Sequence, residues 1–264
     1  MMEQPMQNFF GQPWLPIDVS EHGAALDSLN WWVHLLAIIL FVGWTVYFIY
    51  VLFRFRQSRN PQANYAGTHS HFNTYVEIGV IVAEIVLLAG FSIPLWAQWT
   101  DDFPEESESE VIRVVAEQFT WNFHYSGTDG VFGNTSPELI DVQTNPLGLD
   151  MEDPNAADDV VAKRLFLPVD KPIITHLLSK DVIHSFGIPA MRVKQDVIPG
   201  SSIPVTFKAL QTGKYLIACS QLCGTGHSTM RGFIEVMGQD DYANWFKHEV
   251  EKAKEQAEIG DDLW

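Results

Sequence analysis

Two thiols, an imidazole and a thioether crowd into one short stretch, Cys219 to Met230, which reads Cys-Ser-Gln-Leu-Cys-Gly-Thr-Gly-His-Ser-Thr-Met. Soft donors of this kind suit copper, zinc or an iron-sulfur cluster. Cys219 and Cys223 are the only cysteines in the chain. They cannot build a disulfide framework or a four-thiolate cluster, and the expectation is that no haem is covalently attached. Cys219, Cys223, His227 and Met230 admit four readings. A disulfide is open to an external domain but leaves the His and Met unused. Zinc needs a fourth strong ligand, and thioethers are poor zinc ligands. Mononuclear blue copper takes one Cys, two His and a weak axial Met, which leaves a thiolate over. Two thiolates shared between two coppers use every donor and then require a second imidazole. Its candidate is His184, within Asp-Val-Ile-His-Ser-Phe-Gly-Ile-Pro-Ala-Met-Arg-Val-Lys-Gln-Asp-Val-Ile-Pro-Gly, residues 181–200. His22, His124, His176 and His248 sit in no motif and read as surface or satisfied core groups.

A chain of 264 residues with net charge −17, from 33 acidic and 16 basic side chains, is a poor match for nucleic acid and a good one for a basic protein surface. Residues 1–30 contain no Lys or Arg, so they lack the basic start of a cleaved signal peptide and are expected to remain as an outer tail. Trp31 to Phe53 is apolar apart from His34, long enough to cross a hydrocarbon core of about 30 Å. Tyr75 to Trp96 is similar but contains Glu77, Glu84 and Pro94. Residues 31–99 therefore read as a transmembrane hairpin. Its 54–74 loop carries Arg54, Arg56 and Arg59, whereas residues 60–112 carry no Lys or Arg. The loop should be cytoplasmic, with both termini outside. Glu77 and Glu84 are seven apart and share one helical stripe. A carboxylate within a span faces a partner helix or a watery path by default.

After an acidic linker, 100–110, strand signals recur. Val111–Glu117 and Phe119–Tyr125 come first, the second with Phe119, Trp121, Phe123 and Tyr125 on one face. Leu165–Val169, Ile173–Ser179, Ile203–Ala209, Tyr215–Cys219 and Phe233–Met237 follow. This spacing predicts an antiparallel Greek-key sandwich over 111–238, with the Cys219–Met230 loop joining its last two strands. Residues 126–163 are rich in Gly, Asn, Asp and Pro and read as a long excursion without an assigned role. Residues 239–264 suit an amphipathic terminal helix and tail.

The hairpin, the aromatic strand, the His184 segment and the Cys219 loop together resemble subunit II of a haem-copper cytochrome c oxidase, the subunit that carries the dinuclear copper A centre. The resemblance covers nearly the whole chain and implies a cupredoxin-like sandwich. It also implies that His184 and His227 each cap one copper, that Cys219 and Cys223 bridge the pair, and that Met230 and the Gln221 carbonyl are weak axial ligands. Electrons would pass from a c-type cytochrome to haem in subunit I, where oxygen is reduced and protons are translocated. This chain itself would hold no catalytic residue. Subunits I and III in the cell (inner) membrane are the implied partners, with the copper domain on the periplasmic face. Three positions depart from the pattern. Gln221 replaces a Glu whose side chain helps bind magnesium at the subunit I boundary. Phe119 replaces a Trp at the electron-accepting position, which leaves Trp121 as the tryptophan of that cluster. Glu77 matches the Glu at the mouth of a proton channel, but Glu84 stands where a Pro is usual. A membrane-anchored copper carrier or assembly factor is the alternative function.

Overall fold

The computed structural model describes residues 15–62, 65–67, 70–100 and 103–261. They form two compact units, one of residues 25–102, the other of residues from 103 onward together with 15–24. In the first unit, α1 (Gly23–Arg54) is followed by α2 (Phe72–Leu87), which runs through a π-helical turn at Leu88–Ser92 into α3 (Ile93–Thr100). The helical stretches 23–54 and 72–100 are each long and apolar enough to cross a membrane, and their apolar windows are not buried within the chain. α1 starts eight residues before the apolar run at Trp31. Ser20 Oγ accepts the Gly23 N–H at 3.1 Å, capping the helix start and letting it run through the polar residues that precede Trp31. Pro94 lies two residues after the π turn, a local adjustment that accommodates a residue without an N–H.

The second unit is a sandwich of two five-stranded sheets. Its strands are β1 (Glu110–Glu117), β2 (Thr120–Tyr125), β3 (Val160–Ala162), β4 (Leu165–Pro168), β5 (Pro172–Ser179), β6 (His184–Ile188), β7 (Val193–Val197), β8 (Ile203–Lys208), β9 (Gly213–Cys219) and β10 (Arg231–Met237). The sheets have the orders β3-β2-β1-β5-β8 and β4-β10-β9-β6-β7. The expected sandwich is present, but two pairings depart from the antiparallel pattern, because β1 pairs with β5 and β10 with β4 in parallel. The chain changes sheets between β3 and β4 and again between β4 and β5, so each arrives beside a strand that is not its hairpin partner. Apolar faces close between the sheets around Ile112, Val114, Trp121, Phe123, Phe186, Ile217 and Ile234, and this burial is the main source of the unit's stability. Phe119 does not belong to β2. It lies in the β1–β2 turn, where it is half-buried at the edge of the core, whereas Trp121, Phe123 and Tyr125 of the aromatic series are fully buried in it.

Every residue of β2 from Trp121 to Tyr125 is buried, although only alternate side chains can face the other sheet. The 126–159 excursion covers the opposite face. His124, pointing away from the sandwich core, meets Asp159 at 2.6 Å, and these side chains are 1% and 0% exposed. Asp159 Oδ2 also accepts the Gly133 N–H at 2.8 Å. Arg113 lays its guanidinium 4.2 Å from the Phe132 ring centre, a cation–π contact. Burial draws the Arg113 pKa down, offset in part by the Asp159 charge. Other aspartates cap turns of the excursion itself. Asp141 accepts the N–H groups of Gln143 and Thr144, Asp153 those of Asn134 and Asn155, and Asp158 that of Thr128. Acidic residues that suggest a solvated loop thus supply acceptors for backbone donors that no sheet satisfies.

Residues 16–21 dock on the same unit. Val19 donates to the Ala190 carbonyl at 2.9 Å and accepts from Leu210 N–H at 2.8 Å, while Arg192 donates to the Pro16 carbonyl at 2.9 Å. Ile17 and Val19 are buried. At the other end, α4 (Gln239–Asp261) packs Trp245 on Phe166 with ring centres 4.3 Å apart. Tyr242 donates to Glu110 at 2.7 Å.

Candidate metal centre

β9 ends at Cys219 and β10 begins at Arg231, so residues 220–230 are a hairpin loop closed by a Cys219 N–H bond to the Met230 carbonyl at 3.2 Å. A short turn of 3₁₀ helix, His227–Thr229, aims His227 back into the loop. His184 arrives from outside it. β6 pairs with β9 in the register Phe186↔Cys219, and two residues along a strand return to the same face, which puts His184 beside Cys219.

The four loop side chains and His184 converge. Cys219 Sγ lies 3.8 Å from Cys223 Sγ and 3.9 Å from His184 Nδ1. Cys223 Sγ lies 3.6 Å from His227 Nδ1 and 3.7 Å from Met230 Sδ. The Gln221 carbonyl oxygen is 3.2 Å from Cys219 Sγ, and the Gln221 side chain is exposed. His184, Cys223 and Met230 are buried, while Cys219 and His227 are half-buried. Among the described residues, His184, Cys219 and Cys223 are the only group of three or more His, Cys, Asp or Glu ligand atoms close enough to share an ion.

These spacings fit a first-row metal. Two bonds of about 2.3 Å to sulfur at a tetrahedral angle span ~3.8 Å, and one such bond with one of about 2.05 Å to imidazole nitrogen spans ~3.6 Å. The sulfur separation is far too long for a disulfide, whose S–S bond is about 2.05 Å. Burial, together with the Cys219 sulfur beside it, pushes the Cys223 thiol up to about 11. A cation coordinated by both sulfurs reverses that penalty, because a metal-bound thiol loses its proton.

The neighbours of the ligands set their orientation. His184 Nε2 donates to Asp181 Oδ1 at 2.8 Å, leaving Nδ1 toward Cys219. Burial alone would raise the Asp181 carboxyl, but hydrogen bonds from His184 and from the Gln118 and Val182 N–H groups hold it below its ordinary value. Neither Asp181 nor Gln118 stands out in the sequence reading. An Asp three residues before a candidate ligand His is a usable signal, since ligand imidazoles commonly donate their other N–H to a carboxylate. No local signal marks Gln118.

The remaining sequence candidates lie in three places. Phe119 is half-buried in the turn that covers the loop. Trp121 is buried below it, its ring centre 6.2 Å from that of His184 and 5.5 Å from that of Phe186. Of this pair only Phe119 reaches the surface. Glu77 and Glu84 are both exposed on α2 and belong to the other structural unit from the sulfur and nitrogen donors.

A sequence model of the cytochrome c oxidase subunit II periplasmic domain matches residues 110–237, which is the sandwich from β1 to β10. The alternative cytochrome c oxidase subunit 2 of Bradyrhizobium diazoefficiens is 30% identical over 243 residues, covering 89% of this chain and 83% of that protein. Cytochrome c oxidase subunit 2 of Cereibacter sphaeroides is 29% identical over 228 residues, covering 80% of this chain and 71% of that protein. Among solved structures, the periplasmic domain of subunit II of cytochrome oxidase from Bradyrhizobium japonicum aligns at 30% identity with a TM-score of 0.42, covering 56% of this chain and 97% of that one. With 30% identity to the Bradyrhizobium diazoefficiens subunit over 89% of the chain, and a family match across the whole sandwich, the chain belongs to the cytochrome c oxidase subunit II family.

Proposed function

We propose that this subunit holds a dinuclear copper centre and relays electrons through it, from a c-type cytochrome outside the membrane to haem in subunit I. Membership of the family makes the chain a membrane-anchored subunit of an oxidoreductase complex; the centre, the donor and the route are the further step. The observation that carries the reading is the convergence of two thiols, two imidazole Nδ1 atoms and a thioether, every neighbouring pair 3.6–3.9 Å apart. Cys219 and Cys223 would bridge, His184 and His227 would each complete one copper, and Met230 and the Gln221 carbonyl would be the weak ligands. When bound, the pair of coppers supplies a one-electron redox couple shared across two ions. The chain's own contribution is rigidity. Cys219 and Arg231 belong to paired strands and His184 to a third strand paired with that of Cys219, an arrangement that would keep the donors' spacing in either redox state. Full burial of His184 suits a resident metal better than one handed on, which weighs against a copper carrier.

The same reading puts both termini and the sandwich on the periplasmic face, with the Arg-bearing loop in the cytoplasm. The acidic chain would attract a basic donor. Subunit III would accompany subunit I. Gln221 offers no anionic oxygen, so magnesium at the subunit I boundary would draw its charged ligands from elsewhere. Phe119, at the surface over the loop, is the candidate electron-accepting side chain, and Trp121 lies behind it beside His184.

Copper counting with electron paramagnetic resonance on the purified chain tests the centre. Two coppers per chain and a seven-line hyperfine pattern are expected, and one copper, or zinc alone, would sink the reading. For the membrane stripe, Glu77→Gln in the complete oxidase should slow turnover while copper content stays unchanged. Wild-type turnover would remove Glu77 from the proton path.

A further inference from the structure

The two segments that carry the metal donors are joined through a residue that belongs to neither. We infer that Gln118, in the turn between β1 and β2, is a positioning residue for the metal centre, clamping the Cys219–Met230 loop to the carboxylate that orients His184. The inference rests on the copper reading of that loop.

Three hydrogen bonds form an unbroken path. Gln118 Nε2 donates to the Cys223 carbonyl at 2.5 Å, the Gln118 N–H donates to Asp181 Oδ2 at 2.7 Å, and Asp181 Oδ1 accepts from His184 Nε2 at 2.8 Å. One residue thus connects the backbone of a thiol ligand with the ring of an imidazole ligand. The packing around it is equally close. A Cβ on Gly226 would stand 2.4 Å from the Phe119 ring, and one on Gly224 would stand 2.7 Å from Gln118 Nε2. Gly224 also has φ +137°, in the region that favours glycine. The two glycines of the loop therefore let the Gln118–Phe119 turn press directly onto it.

The clamp acts on donor spacing and leaves the fold to other bonds. Cutting it leaves the β9–β10 and β6–β9 pairings and the Cys219 bond to Met230 in place. Gln118 itself is exposed, so replacing its side chain removes little packing. What is lost is the tie that holds the Cys223 end of the loop at a fixed distance from Asp181 and His184. Partners outside the ligand set typically account for about 10–100-fold in metal affinity, and a lost tie of this kind should appear mainly as faster metal release.

The test compares the copper-loaded full-length chain in detergent with Gln118→Met, which keeps the length but cannot donate, and Gln118→Glu, which offers an acceptor where a donor is needed. Copper release into a chelator is followed together with the hyperfine splitting and the melting of the metal-free chain. Both variants should release copper roughly 10–100-fold faster, with altered hyperfine splitting and metal-free melting equal to wild type. Release at the wild-type rate overturns the inference. So does a matching fall in metal-free melting, because Gln118 would then be a structural residue. Failure of the wild-type chain to take up copper defeats the metal reading itself, before any variant is compared.

Discussion

Cys223→Ser is expected to leave a folded chain that cannot form the dinuclear centre. The Cys223 sulfur lies at the meeting point of three side-chain donors, with Cys219 Sγ, His227 Nδ1 and Met230 Sδ all within 3.6–3.8 Å. A serine hydroxyl is close in size but is a hard donor that keeps its proton, so it cannot bridge two coppers as a thiolate does. Copper should fall from two per chain to one at most, and the seven-line hyperfine pattern should be replaced by the four lines of a single ion. The cost to the fold is smaller. The position is 4% exposed, and a buried hydroxyl without a partner costs about 1–3 kcal/mol. Oxidase turnover with a cytochrome donor should drop to background, whereas the metal-free chain should still melt cooperatively. Two coppers and an unchanged pattern in the variant would show that Cys223 does not bridge.

What could be read from the sequence depended on how far apart the interacting groups lie along it. Cys219, Cys223, His227 and Met230 fall within one hairpin loop, so their spacing already shows that they can meet. The Gln118 contacts with Asp181 and Cys223 span 63 and 105 residues, and no local pattern announces them. β6 escaped the strand signals because it is buried on both sides, His184 through Ile188, and so lacks the alternation that marks a half-buried strand. Arg192, with φ 55°, ends the turn that reverses β6 into β7, a conformation Gly would have flagged and Arg does not. Phe119 continued a period-two aromatic series but sits in a turn, where its ring, half-buried at the edge of the core, also covers Gly226.

Docking of residues 16–21 was hidden for a related reason. Apart from the Arg192 side chain, its hydrogen-bond partners along Val19–Glu21 are main-chain groups of Ala190, Lys208 and Leu210, and backbone donors and acceptors carry no sequence signature. The long excursion shows the same limit from the acidic side. Asp141, Asp153 and Asp158 look like solvated charge until the turns they cap exist. The membrane helices were legible because a long apolar run needs no partner to be recognised, although the Ser20 cap moved the start of α1 upstream.

Asp159→Ala should be the most damaging substitution away from the metal. Its carboxylate is fully buried, accepts from His124 and from the Gly133 N–H, and lies near Arg113. Removing it leaves His124 facing an apolar gap under the excursion, and breaking a buried pair by deleting one partner costs about 3–5 kcal/mol. For a unit of this size the melting temperature should fall by roughly 10 °C, and a protease should cut within residues 126–159 at concentrations that leave the wild type intact. His124→Leu combined with Asp159→Leu should recover part of the loss, because exchanging both members of a buried polar pair for apolar groups avoids an orphaned one. Cys219 ends β9 and Cys223 lies on the loop between β9 and β10, in the other sheet. Copper binding at permissive temperature should therefore survive in Asp159→Ala while its thermal stability does not. An unchanged melting temperature and protease pattern would mean that the excursion is held by its own turns and not by this pair.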